Sequence, residues 1–173
     1  HGAHRQRSYE QAVAEIFCTM ISQAEFMAAP NETIASIAPA SVVYAPAGTR
    51  RAAVLAGVPA EGDAYAEWSR VQMVRACQVI FDHGVKHVFS LLAGPGQFQE
   101  VGEYRKHLID WIAAGVAGDS ALQDFQEHGW NVRLLCDDDS PCLVEARRRL
   151  RTLSRPGAPT LWLQVIPDAE TPW

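Results

Sequence analysis

Two adjacent arginines, Arg50 and Arg51, follow a glycine just after a short apolar run in the stretch "SVVYAPAGTRRAAVL", residues 41–55. The β-branched and aromatic residues of that run predict a strand that ends before Pro46. A glycine at this point lets the backbone approach a ligand closely, and the helix expected after it begins with unpaired N–H groups. Guanidinium groups add planar pairs of donors that match phosphate oxygens. These residues therefore favour a diphosphate-binding site.

The alternative interpretation is that both arginines are solvated charges at the start of a helix. Cations in a first helical turn oppose the helix dipole by several tenths of a kcal/mol, which makes this placement unfavourable unless an anion is nearby. The stretch contains neither the Gly-Lys-Ser/Thr of a P-loop nor the GxGxxG of a dinucleotide site. The residues alone leave both interpretations open.

The elements that would position this turn are strands alternating with helices. The patterns predict strands at Val42–Ala45, Val85–Leu92, "NVRLLC" and "TLWLQVI", and helices at about Tyr9–Met27, Ala64–Asp82 and Val101–Ala117, followed by one capped by Ser120 and one that begins at Ser140-Pro141. This alternation predicts an α/β fold with a parallel central sheet covered by helices on both faces. Ligands bind at the carboxyl ends of such strands, here "PAGTRR", "AGPGQF" and "CDDDSP".

The composition limits the function classes. The chain has 173 residues, 48% of them hydrophobic, and a formal charge of −5, which argues against nucleic acid and anionic membrane surfaces as partners. No apolar stretch approaches the ~20 residues of a membrane span, so we expect no stable membrane insertion. The four cysteines match no zinc pattern and are expected to be reduced thiols of a cytoplasmic protein. Residues 1–36 form a helical segment in this interpretation, and residues 37–173 form the α/β domain.

Several segments occur in an order that resembles a known family. "PAGTRR" after a strand is followed by "FDHGVKHVFSLL", "HGWNVRLLCDDDSP" and "TLWLQVI". This series resembles the cis-prenyltransferase superfamily, the undecaprenyl diphosphate synthase-like proteins. The first motif looks closer to the tuberculosinol/isotuberculosinol synthase-like branch of bacterial terpene synthases, in which it reads Asp-Gly-Thr-Arg-Arg. The resemblance covers about Ile37 to Pro167.

The resemblance implies the site residues and the substrate. A prenyl diphosphate would bind with its tail in an apolar tunnel and its diphosphate against Gly48, Thr49, Arg50, Arg51 and Arg75. Tyr65, Arg51 and position 47 would be catalytic, and Trp68 and Phe98 would contact the tail. Trp68 lies one helical turn from Tyr65, where its aromatic face could stabilise an allylic cation.

The chain departs from the family pattern at two points. Ala47 stands where the family has the aspartate that holds Mg²⁺, so Mg²⁺ is implied while its ligand is absent and no metal-ligating residue is predicted. The alanine indicates either an introduced substitution or a natural loss of the usual chemistry. The family also continues beyond the "TLWLQVI" position with a second diphosphate-binding segment. Either the domain is incomplete at its C-terminus, as we expect, or it lacks the acceptor site, which would favour one-substrate chemistry.

We therefore expect a homodimeric enzyme, a terpene synthase or prenyltransferase that binds an allylic prenyl diphosphate and ionises or removes its diphosphate. The alternative is a non-catalytic cis-prenyltransferase-like subunit, or pseudoenzyme, that binds a partner. Asp137, Asp138 and Asp139 are interpreted as capping and solvated residues rather than as a metal site.

Overall fold

A computed structural model of the chain describes residues 22–167, apart from the side chains of residues 103–106. In chain order the elements are α1 (Gln23–Ala28), α2 (Asn31–Ile37), β1 (Ser41–Tyr44), α3 (Thr49–Leu55), α4 (Asp63–Asp82), β2 (His87–Ala93), α5 (Pro95–Phe98), α6 (Glu103–Ala117), α7 (Asp119–Glu127), β3 (Asn131–Leu135), α8 (Pro141–Leu150) and β4 (Thr160–Val165).

The strands form one four-stranded sheet in the order β1-β2-β4-β3, and every neighbouring pair is parallel. Parallel strands need long crossover connections, and helices supply them between each successive pair of strands. The predicted α/β fold with a parallel central sheet flanked by helices is therefore confirmed. The pairing of Tyr44 with Ser90 brings the carboxyl ends of β1 and β2 side by side.

One face of the sheet carries the core. Fully buried side chains of the strands and of α7 and α8 meet there, the largest being Phe125, Leu143, Leu150, Leu161 and Leu163. Burial of each such side chain contributes roughly 1.5–3 kcal/mol, so this cluster supplies much of the driving force for folding. The helices α4, α6, α7 and α8 pack on this face through the same cluster.

The other face of the sheet is more exposed. Val43, Phe89 and Leu135 are 78%, 38% and 39% exposed, and the Phe89 ring stacks on Trp162 at 5.7 Å. The prediction that both faces are covered is therefore wrong for residues 22–167. It arose because these outward side chains are apolar, so the strand sequences lack the polar alternation of a one-sided sheet.

The first helices differ from the sequence prediction. Most of the helix expected at about Tyr9–Met27 lies outside the described residues, and the described part begins at Ser22, which forms a capping box with Glu25. No separate helix was predicted between Met27 and Val42, but α2 lies there and places Ile34 in the interior. A Cβ on Gly84, whose φ is +91°, would lie 2.6 Å from the Cβ of Ala35. Glycine at that turn therefore permits α2 to pack against the end of α4.

The start of α7 also differs, because Gly118 rather than Ser120 precedes its first turn. Ser140 and Pro141 begin α8 as predicted. In the loop before α8, the Asp138 carboxylate accepts a hydrogen bond from the Ser140 N–H at 2.7 Å. Asp139 forms an ion pair with Arg147. Both aspartates therefore have local structural contacts.

A buried arginine joins α4 to α7. The side chain of Arg70 is 6% exposed and its guanidinium donates to the Glu67 carboxylate at 3.0 and 2.5 Å. It also forms an ion pair with Asp124 of α7. The hydrogen bond from Arg70 lowers the pKa of Glu67 below its ordinary 4.5, so this pair stabilises the fold above that pH and the contribution is lost as pH falls through the lowered value.

Replacing Arg70 with Met is expected to cost about 3 kcal/mol of unfolding free energy, because it leaves the carboxylate of Asp124 without its buried partner. Urea unfolding monitored by circular dichroism measures this loss. Arg148→Met is the matched control, since Arg148 pairs with Glu145 on the surface and its replacement should leave the unfolding midpoint unchanged. Equal midpoints for Arg70→Met and wild type would contradict the structural role of this buried pair.

Candidate functional site

The turn between β1 and α3 is shaped by one glycine. Gly48 has φ 71° and ψ 23°, a left-handed conformation that L side chains rarely adopt, and it immediately precedes the first residue of α3. Its carbonyl accepts the first helical hydrogen bond, from the Ala52 N–H at 3.0 Å. The left-handed residue leads directly into α3, whose first two residues, Thr49 and Arg50, line a cavity beside the turn.

A cavity of about 560 Å³ opens beside this turn. It lies at the carboxyl ends of β1 and β2, between α4 and α6, where a parallel sheet is expected to bind its ligand. Most of the wall is apolar and comes from Ala45, Pro46, Ala47, Trp68, Met73, Leu91, Leu92, Leu108, Trp111, Ile112 and Val116. The polar lining residues include Thr49, Arg50, Tyr65, Ser90 and Gln97.

Two of the polar groups in the cavity form a pair. The Thr49 hydroxyl and the Tyr65 hydroxyl are 2.7 Å apart, and either can donate. Thr49 is the first residue of α3 and Tyr65 lies in the first turn of α4. The hydrogen bond therefore fixes the two helices to each other at the cavity wall.

Arg50 is held at the cavity by a carboxylate from another segment. Its guanidinium donates to Glu100 through both terminal nitrogens, at 3.0 and 2.6 Å. The two side chains are 44% and 31% exposed. This is the two-pronged geometry that guanidinium also adopts with phosphate. The same donor pair could therefore bind a phosphate if Glu100 released it.

The back of the cavity is shielded from water. Burial, with a smaller contribution from the neighbouring Cys77, raises the pKa of Tyr44. Burial also raises the pKa of the Cys77 thiol to about 12, so this thiol is protonated at neutral pH and is not a nucleophile. The Ser90 hydroxyl is buried in the same region, without a hydrogen-bond partner among residues 22–167.

The cavity brings together about half of the predicted site residues. Ala47, Thr49, Arg50, Tyr65 and Trp68 line it. The remaining four predicted residues are not in the lining. Gly48 forms the adjacent turn, and Arg51 is exposed in the first turn of α3. Arg75 is exposed further along α4, and Phe98 packs against the core. Their assignments to the head group, the catalytic step or the tail stay predictions.

Sequence reasoning missed several lining residues. Ser90, Gln97, Leu108, Trp111 and Ile112 all contribute to the cavity wall. The Gln97 side chain accepts a hydrogen bond from the Gly94 N–H at 2.8 Å and so holds the loop after β2. The strand-end rule indicates "AGPGQF" as part of the site. It does not identify which residues of α6 face the sheet, because the apolar positions of that helix serve both core and cavity.

The donor set of the cavity does not fit a magnesium ion. Mg²⁺ is bound by oxygen ligands that usually include one or two carboxylates. None of the lining residues is an aspartate, glutamate or histidine, and the described part of the chain contains no group of three or more His, Cys, Asp or Glu side chains that could hold a metal. The Mg²⁺ that the resemblance implies therefore lacks protein ligands among these residues.

Within residues 22–167, no helix has the length and the apolar character needed to cross a membrane.

Comparisons with known proteins identify relatives in sequence and in structure. No family model matches the chain. The chain is 44% identical over 152 residues to (+)-kolavelool synthase of Herpetosiphon aurantiacus, an alignment that covers 87% of this chain and 53% of the relative. The chain therefore spans about half the length of this relative.

The fold is similar to that of lavandulyl diphosphate synthase from Lavandula x intermedia, whose crystal structure is a complex with dimethylallyl diphosphate. The TM-score is 0.61 at 13% sequence identity, over 76% of this chain and 56% of that protein. The chain therefore has the cis-prenyltransferase-like fold of this synthase.

Proposed function

We propose that this chain is the substrate-binding domain of a terpene synthase, which binds an allylic prenyl diphosphate and ionises it by release of the diphosphate. The observation that carries the proposal is a single cavity whose one end is the "PAGTRR" turn and whose walls are apolar side chains of two helices. The sequence relationship to a kolavelool synthase and the fold shared with a lavandulyl diphosphate synthase support the same substrate class.

The head group would bind at the arginine end of the cavity. Arg50 offers two parallel N–H donors there, and the phosphate oxygens would take the position that the Glu100 carboxylate occupies. Tyr65 and Thr49 add hydroxyl groups beside it. As the carbon–oxygen bond breaks, negative charge grows on the leaving diphosphate, and a guanidinium already aimed at those oxygens stabilises that charge.

The prenyl tail would occupy the apolar part of the cavity. A volume of about 560 Å³ lies within the roughly 300–1,000 Å³ typical of small-molecule sites. Leu108 is buried and Ile112 is half-buried, so the α6 wall excludes water from the cation formed by ionisation. The Trp68 and Trp111 rings also line the cavity, and an aromatic face stabilises a nearby cation by about 1–2 kcal/mol.

A second function, a non-catalytic subunit that keeps the fold and the cavity, is favoured by one specific observation. Ala47 lines the cavity at the family's aspartate position, and among the side chains that the structure describes no lining residue supplies a carboxylate. In that case the chain binds a prenyl diphosphate or a partner protein without ionising the substrate. Homodimer formation and a cytoplasmic location stay predictions under either function.

Ala47→Asp should distinguish the two functions. If the chain is a synthase weakened at this position, the variant with Mg²⁺ should release product from farnesyl or geranylgeranyl diphosphate roughly 10²-fold faster than wild type, the scale on which one charge-stabilising group changes kcat. Gas chromatography with mass spectrometry measures the products. Ala114→Asp, which places the same charge on an exposed position of α6, is the control and should behave as wild type.

If Ala47→Asp forms no product from either substrate while a prenyl diphosphate still binds, the result would support the non-catalytic subunit. If neither the wild-type protein nor Ala47→Asp binds a prenyl diphosphate in equilibrium dialysis, both functions would be excluded. If the natural chain is longer, the same assays on the whole protein show whether a lack of product is due to a missing segment or to the missing aspartate.

Replacing Glu100 with Gln is expected to tighten the binding of inorganic pyrophosphate. The carboxylate competes with the ligand for Arg50, and an ion pair this exposed is worth at most about 1 kcal/mol, so Kd should fall by about three- to fivefold. Isothermal titration calorimetry measures Kd. Glu145→Gln is the matched control, because Glu145 forms a similar two-pronged pair with Arg148 on α8. Weaker binding by Glu100→Gln would mean that Glu100 orients Arg50 and does not compete for it.

A further inference from the structure

The hydrogen bond between Thr49 and Tyr65 joins two hydroxyl groups of the cavity lining, to which Arg50 also belongs. The oxygens are 2.7 Å apart and both side chains are half-buried. Thr49 owes its position to the left-handed Gly48 before it, and Tyr65 is carried by the first turn of α4. The pair therefore links the "PAGTRR" turn to the helix that forms one wall of the cavity.

The pair has one donor to spare. Each hydroxyl carries a single O–H, and one of the two is used within the pair, so one O–H is left to point at a ligand. A phosphate oxygen can only accept, and a phenol is a stronger donor than an aliphatic alcohol. The order in which Thr49 donates to Tyr65 and Tyr65 donates to the anion is therefore favoured, and each bond in such a chain polarises the next.

The alternative order leaves Tyr65 donating to Thr49. The phenol proton would then be used inside the pair, and the weaker donor would face the ligand. In an empty cavity both orders are possible, since either hydroxyl can be the donor at this distance. An anion beside Arg50 selects between the two orders, because only the first presents the stronger donor to it.

We propose that Thr49 is a positioning residue, which holds Tyr65 so that the phenol donates a hydrogen bond to the anionic head group. This inference rests on the proposed diphosphate site, and it changes one assignment within it. Thr49, which the resemblance implies as a direct contact of the diphosphate, acts through Tyr65. Without the threonine hydroxyl the Tyr65 ring keeps its place on α4 but loses the contact that fixes its oxygen.

The proposal is tested by a double-mutant cycle on pyrophosphate binding by the whole chain. Thr49→Val and Tyr65→Phe should each raise the Kd for inorganic pyrophosphate by about tenfold, the usual effect of losing one hydrogen bond to a charged group. The double variant should bind no more weakly than either single variant, because both changes abolish the same hydrogen bond from Tyr65 to the anion, one by removing the donor and the other by removing the contact that positions it. Thr49→Ser, which keeps the hydroxyl, should bind within about twofold of wild type.

Thr152→Val is the matched control. The Thr152 hydroxyl also forms a 2.7 Å hydrogen bond, to the Arg149 carbonyl at the exposed end of α8, so its loss should leave Kd unchanged. Urea unfolding of every variant checks the fold. A purely structural role for Thr49 would lower the unfolding midpoint without coupling to Tyr65 in the binding measurement.

Two different results would overturn the inference in different ways. Additive losses in the double variant, or a Thr49→Ser protein that binds as weakly as Thr49→Val, would show that Thr49 does not act through Tyr65, while the diphosphate site stands. Wild-type protein that does not bind pyrophosphate or a prenyl diphosphate would remove the site itself, and the proposed function with it.

Discussion

The parallel pairing of β1 with β2 is the constraint on which the site depends. Because Tyr44 lies opposite Ser90, the turn after β1 and the loop after β2 leave the sheet at the same edge. The first loop brings Thr49 and Arg50, and the second brings Gln97. A slip of one residue in this register would exchange the buried and exposed faces of a strand, so the core residues of β2 hold the two loops in their relative position.

The left-handed turn at Gly48 then converts this shared edge into a polar end for an otherwise apolar cavity. With φ 71°, Gly48 leads directly into α3, whose first residues Thr49 and Arg50 are polar groups of the cavity lining. Arg50 can therefore reach Glu100, fifty residues further along the chain. The apolar wall needs no such device, since α4 and α6 pack through the general core and both contribute side chains to the cavity lining.

The sequence predicted those parts of the site that depend on local pattern. Strand ends are marked by glycine and proline, so the "PAGTRR" turn could be located, and the family resemblance indicated Tyr65 and Trp68, which lie one helical turn apart. The Arg50–Glu100 pair could not be predicted, because a contact between distant exposed side chains leaves no periodic signal. Helix α2 was missed for a related reason. Its seven residues carry one buried side chain, Ile34, which is too few to establish a helical period.

Burial decides which arginine of the cavity can serve a ligand. Arg70 and Arg50 both line it. Arg70 is 6% exposed and lies between two carboxylates, so an incoming anion would have to displace both and leave them close to its own charge. Arg50 is 44% exposed and pairs with Glu100, whose side chain can turn out to solvent when it is displaced. The buried arginine thus stabilises the fold and the half-exposed one is suited to exchange. The distinction follows from desolvation, since a cation can change partners readily only where water can solvate the partner that leaves.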